Sequence, residues 1–278
     1  LERVGMADVG IAGGKAASLG EMMRHLASDG VRVPAGFVVT TTTFRYFLQE
    51  AGLYDAARRI LAGKNGTRGK AAHAMRDAIL RAPFPRELEQ EIAAQYGAMT
   101  RRGGKHVPVA VRSSATSEDH ADASFAGIHE SYLGISGAAD VMTAIKKVMA
   151  SLFTDRAISY RKDKELRDAD ILLSVVVQRM VASGCGASGV MFTADPESGF
   201  RDVVVINASW GLGEMLVQGK VAPDEYLVSK KAPIGAALPV IAKRLGKKEA
   251  KMISAQGKNG AAGVRVIPTT AAEQRRFV

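Results

Sequence analysis

Cysteine is nearly missing from this sequence: Cys185 is the single thiol among 278 residues. An intrachain disulfide and a cysteine-rich metal cluster are thereby excluded, and Cys185 reads as a small core or loop residue. Aromatic residues are sparse, at 6% of the chain with one tryptophan. Long apolar runs are absent as well, none reaching the roughly 18 residues that a membrane helix needs. Residues 1–30 carry Glu2, Asp8, Glu21 and glycine pairs in place of a charged, apolar, cleavable leader. The expected setting is the cytoplasm, with no membrane partner.

The composition that remains, 47% hydrophobic and 24% charged, is that of a globular protein long enough for one large domain or two modest ones. A net charge of +10 invites a nucleic-acid reading. The basic residues are dispersed in small clusters such as Arg101-Arg102, Lys162 to Arg167 and Lys243 to Lys251. Few aromatics lie between them to stack on bases, so no nucleic-acid partner is expected. A basic surface still attracts anions, which agrees with nucleotide binding without demonstrating it.

The most informative stretch is Val107 to Leu133. A strand-like alternation, V-P-V-A-V-R, gives way to small hydroxylated residues. Arg112 offers a planar, permanently charged donor fork. Ser113, Ser114, Ala115 and Gly127 leave the backbone open to phosphate oxygens. The alternative is a polar hairpin with a surface arginine. Near the start, Gly13-Gly14-Lys15 precedes Leu19, Met22, Met23 and Leu26 at helical spacing, which places Lys15 at a helix start where partial positive charge and a glycine pair admit a phosphate. Val9 and Ala16 stand where a Walker A loop needs Gly and Ser or Thr, so that motif is ruled out. A turn followed by a solvent-facing lysine stays open beside the phosphate reading.

The remaining pattern predicts elements rather than chemistry. Thr40 caps an aromatic-rich helix around Phe44, Tyr46 and Phe47. Residues 55–96 read as mostly helical, with His73 as an exposed helix residue. A helix is predicted from Asp140 through Phe153, continuing to Arg161. Ile171 to Met180 is a near-continuous β-branched run, as in a strand covered on both sides. Gln178 near its end must pair with backbone or face a ligand's hydrogen-bonding edge. Strands are expected at Ala187 to Thr193 and Val203 to Ala208, then a tight corner at W-G-L-G-E, with Glu214 either in a capping role or touching a ligand.

Several segments in order carry a resemblance: G-G-K-A-A-S-L-G-E-M, V-P-A-G-F, V-A-V-R-S-S-A-T-S-E-D with A-S-F-A-G, D-R-A-I-S-Y-R, V-Q-R-M-V, S-G-V-M-F-T-A-D-P-E-S-G-F and W-G-L-G-E-M-L-V-Q-G-K-V-A-P-D-E-Y. Together they resemble the N-terminal nucleotide-binding region of the phosphoenolpyruvate synthases (pyruvate, water dikinases), which share their layout with pyruvate phosphate dikinases and rifampicin phosphotransferases. The resemblance implies an α+β, ATP-grasp-like fold of two lobes, residues 1–180 with a phosphate-covering loop and residues 181–278 as a second lobe. Its implied cofactors are ATP and Mg2+, with phosphate passed through a phosphohistidine on a separate domain to pyruvate. Carried onto this sequence, Lys15 and Arg112 hold phosphates as the catalytic cations, Gly127 and Ser131 belong to the covering loop, and Gln178 lies beside adenine. Met180 and Val181 are inferred as an adenine wall.

Departures from the family pattern matter too. Ile128-His129 stands where a Gln pair is more usual, and Ser131 replaces a frequent Thr while keeping the hydroxyl. The family's closing I-E-W-like and V-Q-A-R-P-like segments have no counterpart here, nor does a T-C-H-A-like phosphohistidine motif. The second lobe is therefore expected to be incomplete, the metal-binding carboxylate to lie beyond Val278, and the chain alone not to complete the reaction. A rifampicin-phosphotransferase-like or pyruvate phosphate dikinase enzyme, or a non-catalytic nucleotide-binding module, remains as an alternative. The assembly state stays open, with a homodimer among the options.

Overall fold

The computed structural model describes residues 1–62, 68–100, 107–115, 131–163, 173–231, 239–256 and 262–278. The chain divides into two units, Leu1–Met180 and Val181–Val278. Helices and antiparallel sheets are both present in an α+β arrangement. No helix among the described residues is long and apolar enough to cross a membrane.

Unit 1 contains, in chain order, α1 (Val9–His25), β1 (Gly36–Val39), α2 (Thr41–Glu50), α3 (Tyr54–Leu61), α4 (Arg68–Arg81), α5 (Arg86–Thr100), β2 (Val109–Ala115), β3 (Ser131–Ile135), α6 (Ala138–Ser151), α7 (Asp155–Asp163) and β4 (Leu173–Arg179). Its antiparallel sheet has the order β1-β4-β2-β3. The β-branched run of β4 takes a central place because both of its faces are covered. Leu173, Val175 and Val177 point with Val109, Val111, Phe37 and Val39 into the main core, against Phe44, Phe47, Ile79, Ile92, Ile145 and Met149 from α2, α4, α5 and α6. Val176 and Val38 point the other way, onto Ala12, Ala16 and Leu19 of α1. The result is a sheet between a thick helical layer and one close-lying helix.

Local chemistry sets the element ends. Thr40 accepts the Thr43 amide at 3.2 Å and starts α2 as a capping residue. The single helix expected from Asp140 to Arg161 is instead two, α6 and α7. Thr154 accounts for the break: its hydroxyl oxygen accepts the Ala157 amide at 3.2 Å, opening a new helix just after buried Leu152 and Phe153.

Unit 2 contains β5 (Ala187–Phe192), β6 (Val203–Trp210), α8 (Glu214–Val217), β7 (Asp224–Ser229), β8 (Val240–Arg244), β9 (Ala250–Gln256), β10 (Ala262–Pro268) and α9 (Ala271–Arg275). The sheet runs β5-β6-β7-β8, with β9 and β10 paired separately. Its most costly feature to build is an ion pair between Asp224 and Lys248, both fully buried. Asp224 also accepts the Gly246 and Val278 amides, each at 2.8 Å. Lys248 donates to the Gly246 carbonyl at 3.0 Å. The partners of the carboxylate come from two separate segments, residues 246–248 and Val278, so the pair ties both to Asp224.

Removal of either charge should be far worse than removal of both. Lys248→Met is expected to cost about 3–5 kcal/mol in urea unfolding, whereas Asp224→Leu combined with Lys248→Met is expected to recover most of that loss. Equal destabilisation by the single and double changes would show that the pairing is not what holds these loops.

Candidate functional site

Two of the residues singled out in the sequence, Arg112 and Ser131, lie on the α1 side of the unit 1 sheet. Arg112 is the exposed residue of β2, and its six strand neighbours are buried. Val109, Val111 and Ala115 face the main core, so Arg112 and Ser114 lie on the α1 side. Ser131 of β3 is the cross-strand partner of Arg112, and Val176 of β4 is its partner on the other flank. Ser131 is also exposed. An arginine and a hydroxyl therefore stand as neighbours on a rigid, doubly paired strand.

Lys15 follows a break in α1, the helix that covers this face. Gly13 has φ 76 and ψ 161, and two helical runs meet there. The left-handed value suits glycine, and the contact requires it: a Cβ at this position would lie 2.2 Å from the Ser114 carbonyl oxygen and 2.3 Å from Ser114 Oγ. Ser114 Oγ accepts the amide of Ala16 at 3.2 Å. Ser174, directly opposite Ser114 on β4, shares its hydroxyl proton between the carbonyls of Ala12 and of Ser114, the latter at 2.9 Å. Gly14 and Ala16 are buried beside the exposed Lys15. The helix start that carries Lys15 is thus seated on the residue two positions along from Arg112.

The adenine-side candidates are placed less uniformly. Gln178 resolves one of its two alternatives at one end, donating from Nε2 to the Pro34 carbonyl at 3.0 Å. Met180 accepts the Gly134 amide on Sδ at 2.9 Å, and its own amide donates to the Pro108 carbonyl at 3.0 Å, so its thioether is held against β3. Val181 opens unit 2 and is 64% exposed. Gly127, His120 and His129 lie outside the described residues. Glu214 opens α8 and accepts from the Gln218 side chain at 2.7 Å, while His73 is exposed near Asp77.

Sequence reasoning treated Ser114 only as a small residue and passed over Ser174. A usable signal was present in L-S-V-V-V, residues 173–177, because one hydroxyl inside a fully buried apolar strand has to find a partner. The Asp224 and Lys248 pair was also missed, since nothing in their local sequence links them.

Unit 2 has a separate cleft of about 360 Å³ beside Cys185, Trp210, Lys251, Glu273 and Arg276. Cys185 is exposed on a short 3-10 turn, a loop residue rather than core. Glu273 pairs with Lys251, caps α9 through Thr270 and offers its carbonyl to Trp210 Nε1 at 2.9 Å. The hydrogen bond from Lys251, then the Thr270 amide, hold its carboxyl below the usual carboxylate range.

Comparison with known proteins bears on the whole chain. Residues 9–278 match the family model described as pyruvate phosphate dikinase, AMP/ATP-binding domain. The chain belongs to this family. A phosphoenolpyruvate synthase of Aquifex aeolicus is 47% identical, aligned over 100% of this chain and 33% of its own length. Those of Synechocystis sp. and Escherichia coli are 46% and 44% identical, each over 91% of this chain and 32% of the relative. The chain thus spans about a third of the length of these curated relatives.

Two outcomes follow from the geometry. Gly13→Ala is expected to cost about 1–3 kcal/mol from the positive-φ, extended-ψ backbone alone, with more from the contact on Ser114, read by thermal unfolding. For Glu273 the folded-state pKa is depressed, so its contribution is present above the ordinary carboxylate pKa and is lost as pH falls through the depressed value. Trp210 fluorescence should therefore hold steady at neutral pH and change only on acidification below the usual carboxylate range. Glu273→Gln should abolish that step, and its persistence would assign it to another group.

Proposed function

We propose that this chain is the ATP-binding portion of a phosphoenolpyruvate synthase, in which phosphate moves from ATP to a carrier histidine on another domain and then to pyruvate, giving phosphoenolpyruvate, AMP and phosphate. In this reading units 1–180 and 181–278 are the two lobes of an ATP-grasp-type fold, working in the cytoplasm. The observation that carries it is the seating of the Lys15 helix start on Ser114, beside the paired Arg112 and Ser131. Similarity to phosphoenolpyruvate synthases at 44–47% identity supports the choice of acceptor chemistry.

Each residue has a physical role. Arg112 supplies a planar donor fork to phosphate oxygens, and Lys15 adds a compact positive charge at a helix start. Ser131 provides a hydroxyl donor next to Arg112. Gln178, with one amide proton engaged by Pro34, presents the rest of its amide to the base edge, and Met180 and Val181 supply apolar surface for the ring. Transfer between phosphates and a histidine requires in-line placement and charge neutralisation rather than a protein base, which cations on a fixed strand provide. Magnesium accompanies ATP in this chemistry. Among the described residues no group of three or more His, Cys, Asp or Glu could hold a metal ion. Pyruvate and the carrier histidine would come from other domains of a longer chain.

Calorimetric titration with magnesium and ATP should give saturable heat by millimolar nucleotide, and its absence would end this reading. Arg112→Ala should weaken ATP about 10- to 150-fold, from the about 1.5–3 kcal/mol of a hydrogen bond to a charged group. Its unfolding free energy should stay within about 0.5 kcal/mol of the parent, because Arg112 is exposed.

A further inference from the structure

We propose that Ser114 and Ser174 are positioning residues for the nucleotide: acting through the backbone around Gly13, they set where α1 presents Lys15 to the triphosphate. The inference rests on the ATP-binding reading above and deepens it. A helix start ordinarily takes its cap from the residue just before it, whose side chain accepts an amide two or three positions on. At the Gly13 break that residue has no side chain, and the amide three positions on, that of Ala16, is taken by Ser114 Oγ from a neighbouring strand at 3.2 Å. The cap is therefore supplied in trans by the same strand that carries Arg112.

Ser174 closes the other side of the break. Its hydroxyl bonds the carbonyl of Ala12, the last residue before Gly13, and that of Ser114 at 2.9 Å. One serine thus fixes the chain entering the break, the other fixes the chain leaving it, and the two are register partners on β2 and β4. Both are fully buried, at 0% exposure. Neither reaches a ligand directly. Their leverage lies in geometry: Lys15 sits between Gly14 and Ala16, both buried, so the azimuth of its side chain follows the backbone that the serines hold. Phosphoryl transfer is sensitive to displacements of about 1 Å in the groups that orient the substrate.

The test compares magnesium-ATP affinity of the chain with that of Ser114→Ala, Ser174→Ala and, as a buried-serine control in α6, Ser151→Ala. Each of the first two should weaken binding about three- to tenfold, and the control should bind as the parent does. In a Lys15→Ala background the Ser114→Ala loss should shrink toward onefold, because the serine acts through the lysine. The Ala16 amide should also exchange with solvent faster in Ser114→Ala, while amides later in α1 keep their rates. Parent-like affinity in both serine variants, fully additive losses with Lys15→Ala, or unchanged Ala16 exchange would each overturn the proposal. If Ser114→Ala fails to fold, Ser174→Ala carries the same comparison with the Ser114 cap intact. A parent chain that binds no nucleotide would defeat the ATP reading itself, an outcome distinct from failure of the serine variants alone.

Discussion

Unit 1 depends on a strand that has to be buried on both faces. β4 carries five consecutive buried residues, Leu173 to Val177, and such a run is satisfied only when helices cover each side of the sheet. On one side the aromatic and aliphatic residues of α2 and α4–α6 fill the space. On the other side, among the described residues, α1 lies close against the sheet through alanines and glycines. Close approach in turn puts backbone carbonyls against the sheet, where unpaired polar groups are costly. The hydroxyls of Ser114 and Ser174 are the response to that cost, and the Lys15 helix start is a product of it.

How much of this was legible in the sequence varies with the range of the interaction. The β-branched run of β4 and the Thr40 cap depend on neighbours along the chain, so their residue types announce them. Gly13 and Lys15 were legible as a helix start, although α1 begins before them at Val9. The break at Thr154 was not, because apolar spacing continues through it and only a side-chain cap divides the two helices. Contacts between distant segments left little trace. Ser114 and Ala16 are 98 positions apart, and Asp224 and Val278 are 54 apart; pairing at such distances is settled by packing and not by local propensity.

The two units solve the burial of polar groups differently. In unit 1, beneath α1, the small neutral hydroxyls of Ser114 and Ser174 bond backbone amides and carbonyls. In unit 2 a full ion pair is buried and stabilised by amides from two loops. The first arrangement tolerates close packing of backbone on backbone. The second makes the joining of loops conditional on electrostatic completeness, since a half-made site leaves an uncompensated charge.

Arg112 projects from a strand hydrogen-bonded along both edges, to β3 and to β4. Its main-chain torsions are frozen when the protein folds, so an arriving anion has only the outer side-chain rotations left to still. A guanidinium offered from a mobile turn would surrender backbone entropy at the moment of capture as well. Placing the charge mid-strand shifts that loss into folding, and leaves association with a smaller ordering penalty.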